Sequence, residues 1–75
     1  MSGELRILDR TGDTKIIWDS AQDDEVAAAR KMFTDLRKKG YLAYTVGKKG
    51  EKGEVITTFD PDAERIIMAP AMVGG

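Results

Sequence analysis

The chain contains no cysteine and no histidine. The first absence excludes disulfides, zinc fingers and thiol nucleophiles. The second removes the usual general base and the usual nitrogen ligand of metal sites. Without disulfides to hold it together, the fold suits a reducing compartment, and a cytoplasmic location is expected. Long apolar runs are also missing. The longest are four residues, as in Ile66 to Ala69, against the roughly 20 that a membrane-spanning helix needs. The start, Met1-Ser2-Gly3-Glu4, lacks the basic and then apolar pattern of a secretory signal. Excess charge is lacking too. Twelve Lys and Arg stand against 13 Asp and Glu, a net charge of −1, so the whole-molecule field is not that of a nucleic-acid binder.

What is present is enough for one small globule. The chain has 75 residues, 41% of them apolar and 33% charged. That balance fits a folded domain rather than a disordered segment. A single domain over residues 1–75 is expected. A core of this size yields only about 3–5 kcal/mol of net stability. It leaves no room for a deep catalytic cleft, and a non-enzymatic role is expected.

Leu5 and Ile7 alternate with charged neighbours over residues 4–9, as in a half-buried strand. Arg10-Thr11-Gly12-Asp13 reads as a turn, with Gly12 able to take positive φ. Thr14 to Trp18 is β-branched and aromatic, which predicts a second strand and an N-terminal hairpin. Ser20 with Asp23 approximates a capping box, and Asp23, Asp24 and Glu25 suit a helix N-terminus. Val26, Ala29, Phe33 and Leu36 fall on one helical face. Arg37, Lys38 and Lys39 precede Gly40, a suitable C-terminal cap. A helix is predicted over about residues 21–39.

Tyr41 to Val46 predicts a third strand. The Gly-rich stretch from Gly47 to Gly53 predicts a polar loop. Val55 to Phe59 and Glu64 to Ala69 predict two further strands, separated by a turn at Asp60-Pro61-Asp62 and ended by Pro70. The order is β-β-α-β-β-β. One apolar helix stripe must cover one sheet face, and the strands alternate too well to be buried on both faces. The pattern predicts an α+β fold, a mixed sheet with one packed helix. This is the ubiquitin-like β-grasp arrangement. A ferredoxin-like fold would need a second helix.

The segment Asp62-Ala-Glu-Arg-Ile-Ile-Met-Ala-Pro-Ala-Met-Val-Gly-Gly75 resembles the C-terminal end of the molybdopterin-synthase small subunit and, more loosely, of the thiamine sulfur carrier. In those ubiquitin-like proteins an acidic turn precedes an apolar last strand, and a proline-containing segment leads into Gly-Gly. The matching positions are Asp62, Glu64, Ile66 to Met68, Pro70 and Gly74-Gly75. Ala69-Pro70 stands where family members commonly carry two prolines. Ala71, Met72 and Val73 replace the arginines of the ubiquitin tail, so the likeness is to sulfur carriers and prokaryotic modifiers.

The resemblance implies that Gly75 is activated by an adenylating enzyme using Mg-ATP, with no cofactor held by this chain. The product is a thiocarboxylate or an amide bond. The partners implied are the adenylating enzyme and a sulfurtransferase, synthase subunit or target protein. The chemistry of the tail suits this, because Gly74 and Gly75 lack Cβ atoms and can thread a narrow channel toward an α-phosphate. A mobile tail over about residues 70–75 is expected. Pro70, Met72 and Val73 are the expected partner-binding residues, and Met68 is expected in the core. The rival reading is a non-catalytic interaction module that uses a sheet edge, with Gly-Gly incidental.

Other clusters carry less. Lys38, Lys39, Lys48, Lys49 and Lys52, with Tyr41 and Tyr44, could contact nucleic acid. The loop nevertheless has no P-loop spacing and opens onto a strand, which favours a solvated hairpin tip. Asp60, Asp62 and Glu64 are spaced like ligands of a hard cation, but the glycine and the longer acidic series of such loops are missing. Thr11, Asp13 and Ser20 have no base arranged beside them. Trp18 is either a core residue or an exposed anchor for a partner.

Overall fold

The computed structural model describes residues 2–9, 12–46 and 52–71. The elements are β1 (Ser2–Asp9), β2 (Gly12–Asp19), α1 (Asp23–Lys38), β3 (Tyr41–Val46), β4 (Lys52–Ile56) and β5 (Arg65–Pro70). The five strands form one mixed sheet in the order β2-β1-β5-β3-β4. β1 pairs antiparallel with β2 and parallel with β5, while β3 pairs antiparallel with both β5 and β4. The first and last strands are thus neighbours inside the sheet, and α1 covers one of its faces.

Period-two alternation sends Leu5, Ile7, Ile66, Met68 and Ala43 toward the helix, where all are buried. Ala29, Phe33 and Leu36 meet them from α1. Val26 is half-buried against the same cluster. Full burial of one large apolar side chain contributes about 1.5–3 kcal/mol, so these few residues dominate the stability of so small a domain. Trp18 is fully buried in this core, in line with its reading as a core residue and against the alternative of an exposed anchor. Its place in the core, with its ring against Phe59, follows from the inward phase it shares with Ile16.

The helix begins two residues later than the sequence suggests. Gln22, not Ser20, is the N-cap residue, and no side chain caps the first turn from that position. β2 runs on to Asp19, and a tight turn consumes the next residues. Asp19 Oδ1 accepts the Ala21 N–H at 2.9 Å and the Asp19 carbonyl accepts the Gln22 N–H at 2.9 Å. Glu25 reaches back to accept the Asp19 N–H at 3.0 Å. These bonds fasten the helix start to the end of β2 without a capping box. At the far end Gly40 has φ 94° and donates to the Arg37 carbonyl at 3.0 Å, as a left-handed helix terminator does. Gly12, at the start of β2, has φ 126°.

The last hairpin differs most from expectation. β4 covers residues 52–56, not 55–59. Phe59 leaves the sheet and packs its ring 5.0 Å from Trp18 and 5.8 Å from Phe33. Burying an aromatic ring against two others outweighs its strand propensity. Gly53 belongs to the strand because β3 passes so close that a Cβ there would collide with the Thr45 carbonyl. The ladder shifts register between Tyr44 and Val46 at this point.

Candidate functional site

β5 carries the resemblance segment through the middle of the sheet. Pro70, expected to end the strand and join the tail, is its last residue and lies opposite Tyr41. The Ala71 N–H then bonds the Gly40 carbonyl at 3.3 Å, which turns the backbone groups of Ala71 toward β3. Alternation directs those of Pro70 toward β1, whose ladder with β5 ends at Met68. Pro70 has no N–H to carry that ladder further.

The chain reaches Ala71 beside the C-terminal end of α1. Arg37 Nη1 donates to the Tyr41 carbonyl at 2.8 Å, tying the helix end to the start of β3. Lys38, Lys39 and Pro70 are exposed there. Met72, Val73, Gly74 and Gly75 lie outside the described residues, as do Lys48, Lys49 and the side chain of Lys52. β3 ends at Val46, which pairs with Arg65 at the opposite end of β5 from Pro70. Val46 and Ala71 therefore lie at opposite ends of the sheet.

The sheet face away from α1 holds a surface that the residue pattern did not single out. Leu8, Ile17, Leu42 and Val55 are exposed by 36–59%, and all four alternate away from the helix. Val55, Tyr44 and Ile67 form one cross-strand row that continues into Arg6 and Lys15. Beside them Glu4, only 18% exposed, gathers three cations. Arg6 and Arg65 each place Nε 3.0 Å from Oε2, and Lys15 Nζ lies 3.8 Å from Oε1. The result is an apolar strip over β3, β4 and β5, flanked on β1 and β2 by an ion-paired group with excess positive charge. Strict alternation was the available signal, but which phase of each strand faces the helix is settled only by the register of the sheet.

A shallow hollow of about 180 Å³ is lined by Ser2, Ser20, Pro61, Asp62, Ala63 and Glu64. Asp60 uses Oδ1 to accept the Asp62 N–H at 3.0 Å, a local turn bond. Among the described residues no group of three acidic, histidine or cysteine side chains is gathered for a metal, and no helix is long and apolar enough to cross a membrane. Asp13 is exposed on β2 and Ser20 lies in the turn after it, while Thr11 lies outside the described residues.

Comparison with known protein families, with curated proteins and with solved structures yields no match. What the chain does has to be read from its own residues and geometry.

Proposed function

We propose that this chain is a ubiquitin-like β-grasp carrier or modifier, activated at Gly75 by a separate adenylating enzyme. The observation that carries the reading is the placement of β5. The strand runs parallel to β1 inside a sheet of order β2-β1-β5-β3-β4. It delivers the segment leading to Gly74-Gly75 past the helix end, anchored as far as Ala71. A carrier needs this combination, a rigid body that fixes the root of a short Gly-ended segment. The segment serves whether Gly75 ends the chain or is exposed by cleavage after it.

In the proposed reaction a Gly75 carboxylate oxygen attacks the α-phosphate of ATP and displaces pyrophosphate. The acyl-adenylate is then attacked at its carbonyl by a sulfur or amine nucleophile, and AMP leaves. This chain contributes the carboxylate and a recognition surface. The enzyme contributes nucleotide, magnesium and catalytic groups. The bare apolar strip of Leu42, Tyr44, Val55 and Ile67 is the surface best suited to hold such a partner, since exposed apolar patches of this kind mark interaction sites.

The test is intact mass spectrometry after incubation with candidate adenylating enzymes, Mg-ATP and a sulfur donor. The expected result is a thiocarboxylate or adenylate mass confined to Gly75. The same exposed strip also favours the second reading, a plain interaction module. On that reading a partner is still captured when Gly75 is deleted, and no ATP-dependent mass change occurs with any enzyme tried.

A further inference from the structure

Strand β2 forms an edge of the sheet, and its outer side pairs with no strand among the described residues. Which of its backbone groups face outward follows from one bond. The Glu4 N–H donates to the Glu64 carbonyl at 3.0 Å, so Glu4 turns its backbone groups away from β2. Successive residues alternate, so Gly3, Leu5 and Ile7 face β2. Their register partners are Trp18, Ile16 and Thr14. The backbone groups of Asp13, Lys15, Ile17 and Asp19 therefore face outward. Those of Asp19 are taken up by Glu25 and by Gln22. Asp13, Lys15 and Ile17 remain.

The geometry points to a second copy of this chain as the occupant of that edge. The two β2 strands would run antiparallel about a two-fold axis at Thr14, and this inference does not rest on the tail chemistry. In this register Asp13 of each copy lies across from Lys15 of the other. The two residues exchange both backbone hydrogen bonds, and their side chains, on the helix-free face, bring opposite charges together twice. Lys15 is suited to a new carboxylate, because its bond to Glu4 is long at 3.8 Å and Glu4 already binds Arg6 and Arg65 at 3.0 Å each. Thr14 meets its own copy at a non-hydrogen-bonded position, where side chains come closest and Thr pairs are favourable.

Neighbouring registers fit less well. An axis at Lys15 sets two lysines face to face. An axis at Ile16 sets Asp13 against Asp19. An axis at Ile17 needs the Asp19 backbone groups that the helix start already uses. Among the described residues nothing covers the Thr14 register, since residues 12–15 are exposed and α1 lies over the Trp18 end. The contact is symmetric and small, in the class of weak interfaces below about 1,200 Å².

Sedimentation velocity of the purified chain tests this. The expected result is monomer at about 10 μM and a substantial dimer fraction near 1 mM, as a weak dissociation constant requires. Lys15→Asp should weaken association at least about tenfold, since like charges then face each other twice. The double exchange Asp13→Lys with Lys15→Asp should restore it. Hydrogen exchange gives the register independently. The Asp13 and Lys15 amides should slow with rising concentration. Because these side chains are exposed, circular dichroism should show every variant folded. A chain that stays monomeric near 1 mM overturns the proposal. So does a dimer that the charge exchange fails to restore.

Discussion

The indole Nε1 of Trp18 donates a hydrogen bond to the Pro61 carbonyl at 3.0 Å, across 43 positions of sequence. The bond fixes the loop after β4 over the β2 end of the core, where Phe59 packs at a tilt of 59° against the same indole. Trp18→Phe keeps most of the apolar bulk and removes the donor. It should cost about 1–3 kcal/mol, the usual penalty of an unmet polar partner together with some lost packing. Urea denaturation measures it. An unchanged midpoint would mean that the loop is held by Phe59 alone.

Phe33→Ala should cost about 3–5 kcal/mol. Phe33 is 1% exposed and packs against Phe59. In a domain with only a few kcal/mol to spare, that loss leaves the chain largely unfolded at room temperature. Thermal denaturation followed by circular dichroism checks it.

Gly3→Ala should destabilise by about 1–3 kcal/mol, the range for overpacked sites. An added Cβ would meet the Trp18 ring and the Ala63 carbonyl oxygen, and neither can retreat without disturbing the Pro61 bond. Gly12→Ala is the informative comparison. Its Cβ meets nothing within 4 Å, so the cost there comes from φ alone. In urea, Gly3→Ala should shift the Trp18 emission that reports indole packing, and Gly12→Ala should not.

On the bare sheet face, Val55→Thr should leave stability within about 0.5 kcal/mol, because the side chain is 57% exposed and the new one is equally β-branched. If that face holds the partner, the same change together with Tyr44→Ser should weaken capture by at least about tenfold. Isothermal titration against the activating enzyme measures it. Equal affinity would move the contact to another surface.

Deleting Gly75, or replacing it with Ala, should abolish ATP-dependent modification and leave melting within about 0.5 kcal/mol. Deletion withdraws the carboxylate by up to about 3.6 Å, and misplacement of roughly 1 Å already costs about a hundredfold in rate. Lys49→Ala is the control and should change neither property. Tail variants that retain full modification, with loss in Lys49→Ala, would replace the carrier reading with a basic-loop binding role.

Much of the fold was legible because its signals are local. The stripe of Ala29, Phe33 and Leu36 located the helix face, Gly40 marked its end, and Tyr41 to Val46 coincides with β3. The misplacements have a common cause in tertiary contacts that local propensity does not encode. Phe59 left its strand for Trp18 and Phe33. Gly53 entered one because β3 lies against it. Ser20 lost its capping role to the turn that Asp19 and Glu25 build. The candidate site divides in the same way. Pro70 could be placed at the strand end from sequence. The apolar row of Val55, Tyr44 and Ile67 emerges only when three strands are set side by side, since it depends on the register between them.

The pairing of β1 with β5 has a consequence for how the molecule comes into being. Of the five strands these are the first and the last in chain order, and they lie side by side at the heart of the sheet. Until β5 has left the ribosome, Leu5 and Ile7 have no neighbour on one side, and Phe33 faces a sheet without its centre. The β1–β2 hairpin alone is marginal in water, so no earlier stopping point is stable. Assembly of the sheet must wait for β5 and then close the long loop back to β1, the slow kind of step that non-local contacts impose. A nascent chain cut before Arg65 should accordingly be degraded rather than stored. The segment nearest Gly75 is then the part whose arrival decides whether there is a folded protein at all.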